Sequence, residues 1–320
     1  MKTSVAFCTY NGEKYIREQL DSIFNQTLKI DEIIICDDRS SDNTIAIIQE
    51  YQVKFPSVIS LFINEVNLRS VKNFEKAISL CTGDIIFLSD QDDSWMPNKV
   101  ENYIRFFKEN PNITTIASNG FCMDDNSNIL DLYTIWDVPG FLKEEQVSFD
   151  YFKLITQVGN FVTGAAMAFR KTIVSEILPF PTLKDYHHDE WIATVATGLN
   201  SFAFLNEKYF NYRVHSNQQV GGISYSKTEK IKKQLISSYT LTEFKSFIAY
   251  KRRLKKLKKN YDRNTALLEH ITHQKDLIVK AKNDILNDFK STSERFKKDY
   301  PLRYSALLLL DRVTKKRKIQ

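Results

Sequence analysis

The sequence predicts an α/β protein built on a largely parallel sheet, followed by a basic helical extension. Three observations lead there. Within residues 4–110, short apolar runs alternate four times with stretches of helical periodicity. Polar residues collect just after those apolar runs. Charge is also unevenly spread: residues 227–320 hold 26 basic and 10 acidic residues, which leaves 19 basic and 29 acidic in the rest. Regular alternation of strand and helix is the pattern of βα units on a parallel sheet. A composition shift this sharp marks a boundary near residue 222. The expected organisation is therefore an α/β domain over 1–222 and a basic helical region over 223–320.

The elements follow in order. Residues 4–8 form an apolar run that Thr9-Tyr10-Asn11-Gly12 breaks. Tyr15, Ile16, Gln19, Leu20, Ile23 and Phe24 recur at helical spacing. A second strand over 33–36 ends in Asp37-Asp38, and Ser40 or Ser41 can cap a helix through Ile45, Ile47 and Ile48. Residues 58–63 read as a third strand and 71–80 as a helix. A fourth strand over 85–88 ends in Ser89-Asp90. Pro97 opens a helix that Asn110-Pro111 stops. Beyond Thr114 the alternation loosens. Strands are expected over 114–121, 165–169, 202–205 and 209–214, with helices over 172–178 and 189–197. From Lys227 onward the pattern is helical and basic.

Composition removes several classes. A chain of 320 residues with 42% hydrophobic and 26% charged residues has a globular balance. Nine Gly and seven Pro exclude collagen-like and low-complexity sequences. No apolar run reaches the roughly 18 residues that span a bilayer. Polar Asn11 comes too early for the apolar region of a signal peptide, so a cytoplasmic location is expected. The cysteines Cys8, Cys36, Cys81 and Cys122 form no CxxC pair. They read as small core residues in a reducing compartment.

In open α/β sheets, ligands bind outside the carboxyl ends of the strands. Thr9 and Asn11, Asp37 and Asp38, and 90–93 should therefore line one crevice. The usual phosphate loops, GxxxxGK[ST] and GxGxxG after the first strand, are absent. Asp90-Gln91-Asp92-Asp93 on a strand exit is the remaining candidate. Carboxylates hold a diphosphate only through a divalent cation, and Mg²⁺ or Mn²⁺ takes such hard oxygen ligands. Taken alone, the same residues also read as a solvated acidic turn.

At this point the chain resembles the family 2 glycosyltransferases with the GT-A fold. Within them it is most similar to bacterial cell-surface polysaccharide transferases, including rhamnosyltransferase-like members. The matching stretches run from Val5-Ala6-Phe7-Cys8-Thr9-Tyr10-Asn11-Gly12 and Ile33-Ile34-Ile35-Cys36-Asp37-Asp38-Arg39-Ser40 to Phe87-Leu88-Ser89-Asp90-Gln91-Asp92-Asp93-Ser94-Trp95. They continue with Val162-Thr163-Gly164-Ala165, His188-Asp189-Glu190-Trp191 and Tyr212-Arg213-Val214-His215. They occur in family order and cover roughly 4–222. The basic tail lies outside the resemblance.

The resemblance implies roles. Thr9, Asn11 and Glu13 would cradle the base and ribose of a nucleotide-diphosphate sugar, and Asp38 would contact the base or ribose. Asp84 either reaches the base or simply serves a helix-to-strand turn. Asp90 and Asp92 match the DxD motif, in which the first carboxylate meets the ribose or the metal's hydration shell and the second binds Mn²⁺ or Mg²⁺. His215 would add a metal ligand or a diphosphate contact. Gly164 belongs to a donor-side loop where a missing side chain permits close approach. Asp189, opening a helix, would be the base of an inverting transfer to a hydroxyl of a cell-surface glycan or lipid-linked acceptor, with Glu190 in reserve. Two departures stand out: Arg39 and Arg69 replace common glycines. Each would strain a loop that needs positive φ, or else offer a donor fork to phosphate.

The tail leaves two readings open. It is a solvated helical pair packed on the catalytic part, or a surface for anionic membrane, which would make the protein peripheral on the inner face of the cell membrane. Lys251–Lys259 is dense in Lys and Arg, and the leucines at 307–310 next to the basic run at 315–318 would suit a shallow anchor. Nucleic acid is not expected, because the catalytic part is acidic and no recognised motif is present. The alternative function is a catalytically weak nucleotide-sugar-binding partner in a glycan assembly complex.

Overall fold

The computed structural model describes residues 1–215, 223–240, 246–314, 317 and 319. Its first half follows the predicted alternation: β1 (Thr3–Thr9), α1 (Ile16–Phe24), β2 (Glu32–Asp37), α2 (Thr44–Lys54), β3 (Ile59–Ile63), α3 (Arg69–Leu80) and β4 (Ile85–Ser89). Every residue of β1 and β4 is buried. These strands lie inside a sheet covered on both faces, which is why their sequences are continuous apolar runs. Helix α1 buries Ile16, Gln19, Leu20 and Ile23, one stripe at spacings of three and four.

The chain continues through β5 (Ser94–Trp95), α4 (Lys99–Glu109), β6 (Thr115–Met123), β7 (Ile129–Leu130), β8 (Leu132–Thr134), α5 (Val138–Glu144) and α6 (Tyr151–Gln157). It then forms β9 (Ala168–Arg170), α7 (Val174–Ile177), α8 (His188–Gly198), β10 (Phe202–Arg213) and β11 (Ser224–Ser226). The tail supplies α9 (Glu229–Tyr239), α10 (Phe247–His270), α11 (Lys275–Asp299) and α12 (Pro301–Thr314).

The main sheet runs β3-β2-β1-β4-β9-β6-β10-β5, with β7 beside β6. Pairings among β1–β4 are parallel, as is β6 with β10. Strand β9 is antiparallel to both β4 and β6, because the chain leaves the sheet after β6, folds α5 and α6, and re-enters between two strands from the opposite end. The two strands expected over 202–214 are one, β10. Its pairing with β6 shifts register between Leu205 and Lys208 and again before Asn211, and polar Asn206-Glu207-Lys208 at that irregularity interrupts the apolar pattern. Helices α5 and α6 were not legible in the sequence.

One hydrophobic core runs from Val5 to Ile278 and takes in Leu235, Leu267, Ile271 and Ile278 of the tail. A second, small core joins Tyr250, Leu254, Phe296 and Leu307 at the far end of the tail helices. All four cysteines are buried and free. No helix among the described residues is long and apolar enough to cross a membrane.

Candidate active site

The site forms where β1, β2 and β4 end side by side. The register places Thr9 opposite Asp37 and Phe7 opposite Ser89, so the segments that follow share one end of the sheet. Thr9 Oγ1 donates to Asp37 Oδ2 at 2.7 Å, and Asp37 accepts again from Ser40 N–H and Oγ. Asn11, at φ +49°, donates its N–H to Ser40 Oγ and accepts from Ser41 N–H. Glu13 accepts from Asn43 N–H and Nδ2 at the start of α2. Gln91 ties this loop to the next strand exit, its amide bonding both the N–H and the carbonyl of Tyr10.

Asp38 is buried and holds three hydrogen bonds. It accepts from Asn64 Nδ2 at 2.9 Å, Leu68 N–H at 2.6 Å and Arg69 N–H at 2.8 Å. It thus caps α3, where a carboxylate suits the positive end of the helix dipole. Arg39 and Arg69 both adopt positive φ, +68° and +62°, so each of these side chains sits on a backbone that favours glycine. Asp84 lies elsewhere. It accepts Lys2 N–H at the N-terminal end of β4, six residue steps along that strand from Asp90, about 20 Å. The structure does not bring it to the other site residues.

Around Asp90 the carboxylates crowd. Burial, with Asp92 and Asp189 nearby, pushes Asp90 up to about 8. Asp93 is buried and also raised, by desolvation and then by Asp92 and Asp90. Its Oδ1 accepts Arg213 N–H, while Oδ2 has no partner among the described residues. Lys99 lies beneath, fully buried, and donates to the Ala165 carbonyl at 2.6 Å with Nζ 3.9 Å from the Trp95 ring centroid. Trp95 is accordingly a packing residue under the site. Desolvation holds Lys99 well below the usual lysine range, although Asp93 and Asp90 oppose that shift.

Asp92 pairs with His215, Oδ2 to Nε2 at 3.0 Å. Arg213, buried at the end of β10, organises the acidic loop. It donates to the Asp92 carbonyl, the Asp124 carbonyl, Ser127 Oγ and Glu18 Oε2, and lies over Tyr15 at 4.5 Å. Ser216 and Asn217, which follow His215, lie outside the described residues.

Asp189 enters from α8. Burial raises it to about 6, while hydrogen bonds from Glu190 N–H, the Asn160 side chain and Gly164 limit the shift. Gly164 faces the same point: a Cβ there would lie 2.9 Å from His188 Nε2 and 3.6 Å from Asp90 Oδ2. The glycine is needed for close approach by the protein's own groups. His188 is buried, stacked 4.0 Å from Phe74, and neither ring nitrogen has a hydrogen-bond partner among the described residues. Burial, reinforced by His187, holds it down at about 3, so it is neutral.

Glu190 is not poised as a base. Arg263 of α10 grips it bidentately at 2.5 and 2.7 Å and also donates to the Asp185 carbonyl. Gln91, Arg213, Lys99 and Arg263 escaped the sequence reading. Arg213 stands in a quoted motif and an arginine within a strand was a usable signal. Arg263 had none, since its partner lies 73 positions away.

Asp90 and Asp92, after β4, offer hard oxygen donors, and His215, after β10, adds an imidazole nitrogen beside Asp92. Among the described residues no three His, Cys, Asp or Glu form a ready-made metal cluster. Asp90, which burial and then the neighbouring Asp92 raise to about 8, together with Asp92 still suits a divalent cation completed by diphosphate oxygens and water.

Residues 4–178 match the model for glycosyl transferase family 2. The chain belongs to that family. It is 32% identical over 227 residues to the dTDP-rhamnosyl transferase RfbG of Shigella flexneri, covering 67% of this chain and 73% of that protein. An uncharacterized glycosyltransferase of Methanocaldococcus jannaschii, MJ1057, is 29% identical over 238 residues, 74% of this chain and 76% of that one. Among solved structures, residues 1–349 of S. aureus TarS in complex with UDP-GlcNAc superpose with a TM-score of 0.54 at 16% identity, covering 91% of this chain and 73% of that one. The fold of this glycosyltransferase is GT-A, with a helical C-terminal region.

Proposed function

We propose that this glycosyltransferase is an inverting, divalent-metal-dependent enzyme that moves a sugar from UDP or dTDP to a hydroxyl of a cell-surface glycan or lipid-linked acceptor. Residues 1–222 would carry the chemistry, and the basic helices of 223–320 would face an anionic membrane. The observation that carries the reading is the meeting of Asp189 with Asp90 across Gly164 at the carboxyl end of the sheet. The similarity to the dTDP-rhamnosyl transferase RfbG favours dTDP-rhamnose as the first donor to try.

In this reading the loops carrying Thr9, Asn11 and Glu13, with that of Asp38, wall the nucleotide. Asp92, with Asp90 and His215, would hold Mn²⁺ or Mg²⁺, which when bound neutralises charge on the departing diphosphate. Asp189 accepts the acceptor hydroxyl's proton as that oxygen bonds to the anomeric carbon, and the bond from that carbon to the diphosphate breaks, its electron pair leaving with the nucleotide. A carboxyl near 6 is ionised at neutral pH and a stronger base than an ordinary aspartate. Arg213 and Lys99 position the acidic loop.

Thermal stabilisation by a panel of nucleotides and nucleotide sugars, with Mn²⁺ and with EDTA, tests the donor site without an acceptor. A metal-dependent shift with UDP or dTDP compounds is expected, lost in Asp92→Ala. Full Mn²⁺-dependent binding by that variant would remove Asp92 as a metal ligand. Donor binding without turnover, unchanged by Asp189→Asn, would point to the binding-partner alternative.

A further inference from the structure

Helix α12 leaves Leu302 (87%), Leu309 (62%), Leu310 (59%) and Leu308 (48%) exposed. Leu302 and Leu309 are seven positions apart, two helical turns, and so share a face. Leu307 turns inward to the small core with Tyr250, Leu254 and Phe296. The start of α10 lies at the same end. Phe247 packs on Phe296 and Tyr300 and sits under Arg303 at 5.4 Å, and Ile248 beside it is 58% exposed.

The surroundings of these apolar side chains are basic. Lys251 lies over Phe247, and Arg252, Lys297, Lys298 and Arg303 are exposed. Two of the nearby acids are engaged, Asp299 by Tyr250 and Asp311 by Arg317, while Glu294 is exposed. Contiguous exposed apolar surface marks an interaction site. A second copy would bring the same cationic rim against this one. An anionic bilayer answers both the leucines and the charge. At 14 residues, about 21 Å, the helix is too short to span a hydrocarbon core of about 30 Å.

Resting on the reading of the tail as membrane-facing, we propose that α12 lies in the plane of an anionic bilayer. Leu302 and Leu309 would enter the headgroup boundary, flanked by Leu308 and Leu310 about 100° to either side, with the basic residues at the starts of α10 and α12 and the end of α11 on the lipid phosphates. The surface lies on the tail, outside the catalytic site, and would hold the enzyme beside a lipid-linked acceptor.

The test is flotation of the full-length chain with phosphatidylcholine vesicles and with vesicles containing phosphatidylglycerol, at low and high salt. Flotation with the anionic vesicles alone is expected, weakened by salt and by Lys297→Gln/Lys298→Gln. Leu302→Glu/Leu309→Glu should reduce it more than tenfold while leaving the thermal midpoint and donor-induced stabilisation unchanged. If the unmodified chain does not float, the membrane-facing tail and this surface both fall. If it floats and the leucine variant floats equally, charge alone binds and only this surface falls. If sedimentation shows a dimer that the leucine variant dissolves, the face belongs to a second copy and the proposal is overturned.

Discussion

Arg263→Ala is the substitution that most directly asks whether the tail is part of the catalytic unit. Arg263 reaches from α10 to α8, where its guanidinium holds both oxygens of Glu190 and the carbonyl of Asp185 and lies over the Tyr186 ring at 4.6 Å. Glu190 is 6% exposed, so the alanine variant strands a buried carboxylate one residue from Asp189. Breaking a fully buried pair costs about 3–5 kcal/mol. Because Arg263 keeps 25% of its side chain exposed, about 2–3 kcal/mol is expected here. The assay is urea denaturation of Arg263→Ala, Glu190→Gln and the double variant, read as a double-mutant cycle. A coupling energy above about 1.5 kcal/mol is expected, together with a fall in kcat that leaves donor binding intact, because the anchor of the helix carrying Asp189 is loosened. A coupling below about 0.5 kcal/mol, the level of an exposed ion pair, would refute the claim that this contact holds α8 in place.

Three further outcomes follow from the site. Asp189→Asn should stop transfer yet stabilise the fold. Folding raises this carboxyl from 3.8 to about 6, so the native state binds the proton more tightly than the unfolded chain. The wild-type protein therefore loses about 3 kcal/mol of this contribution as pH rises through both values, from about 3 to about 7, and the variant's advantage should be absent at about pH 3 and full at about pH 7. A midpoint difference that does not change with pH would show that Asp189 is not desolvated. Arg69→Gly should stabilise by about 0.5–1 kcal/mol, since relief of about 1–2 kcal/mol of left-handed strain exceeds glycine's entropic cost. A loss of stability in denaturant would mean that the Arg69 side chain contributes more than its backbone costs. Gly164→Ala should cost about 1–3 kcal/mol by overpacking against His188 and Asp90 and raise the donor KM, and unchanged donor kinetics would separate this loop from the donor site.

What the sequence determined by itself was the local and periodic part. The runs at β1, β2 and β4 had to be buried strands, because nothing polar interrupts them, and the polar residues after them had to fall at one end of the sheet. That places Thr9, Asp38, Asp90 and Asp92 on neighbouring exits. Ordered motifs added Gly164, Asp189 and His215. Tertiary structure alone decided the partnerships. Asp38 caps α3, Glu13 bonds the start of α2, and Asp84 is left at the far end of β4. Glu190 is bound to a tail arginine, and His188 is buried neutral against Gly164. Each pairs groups tens of residues apart, or depends on which side of a strand a chain re-enters. Periodicity and spacing record the neighbours along a chain, whereas desolvation and hydrogen bonding at this site depend on neighbours across it.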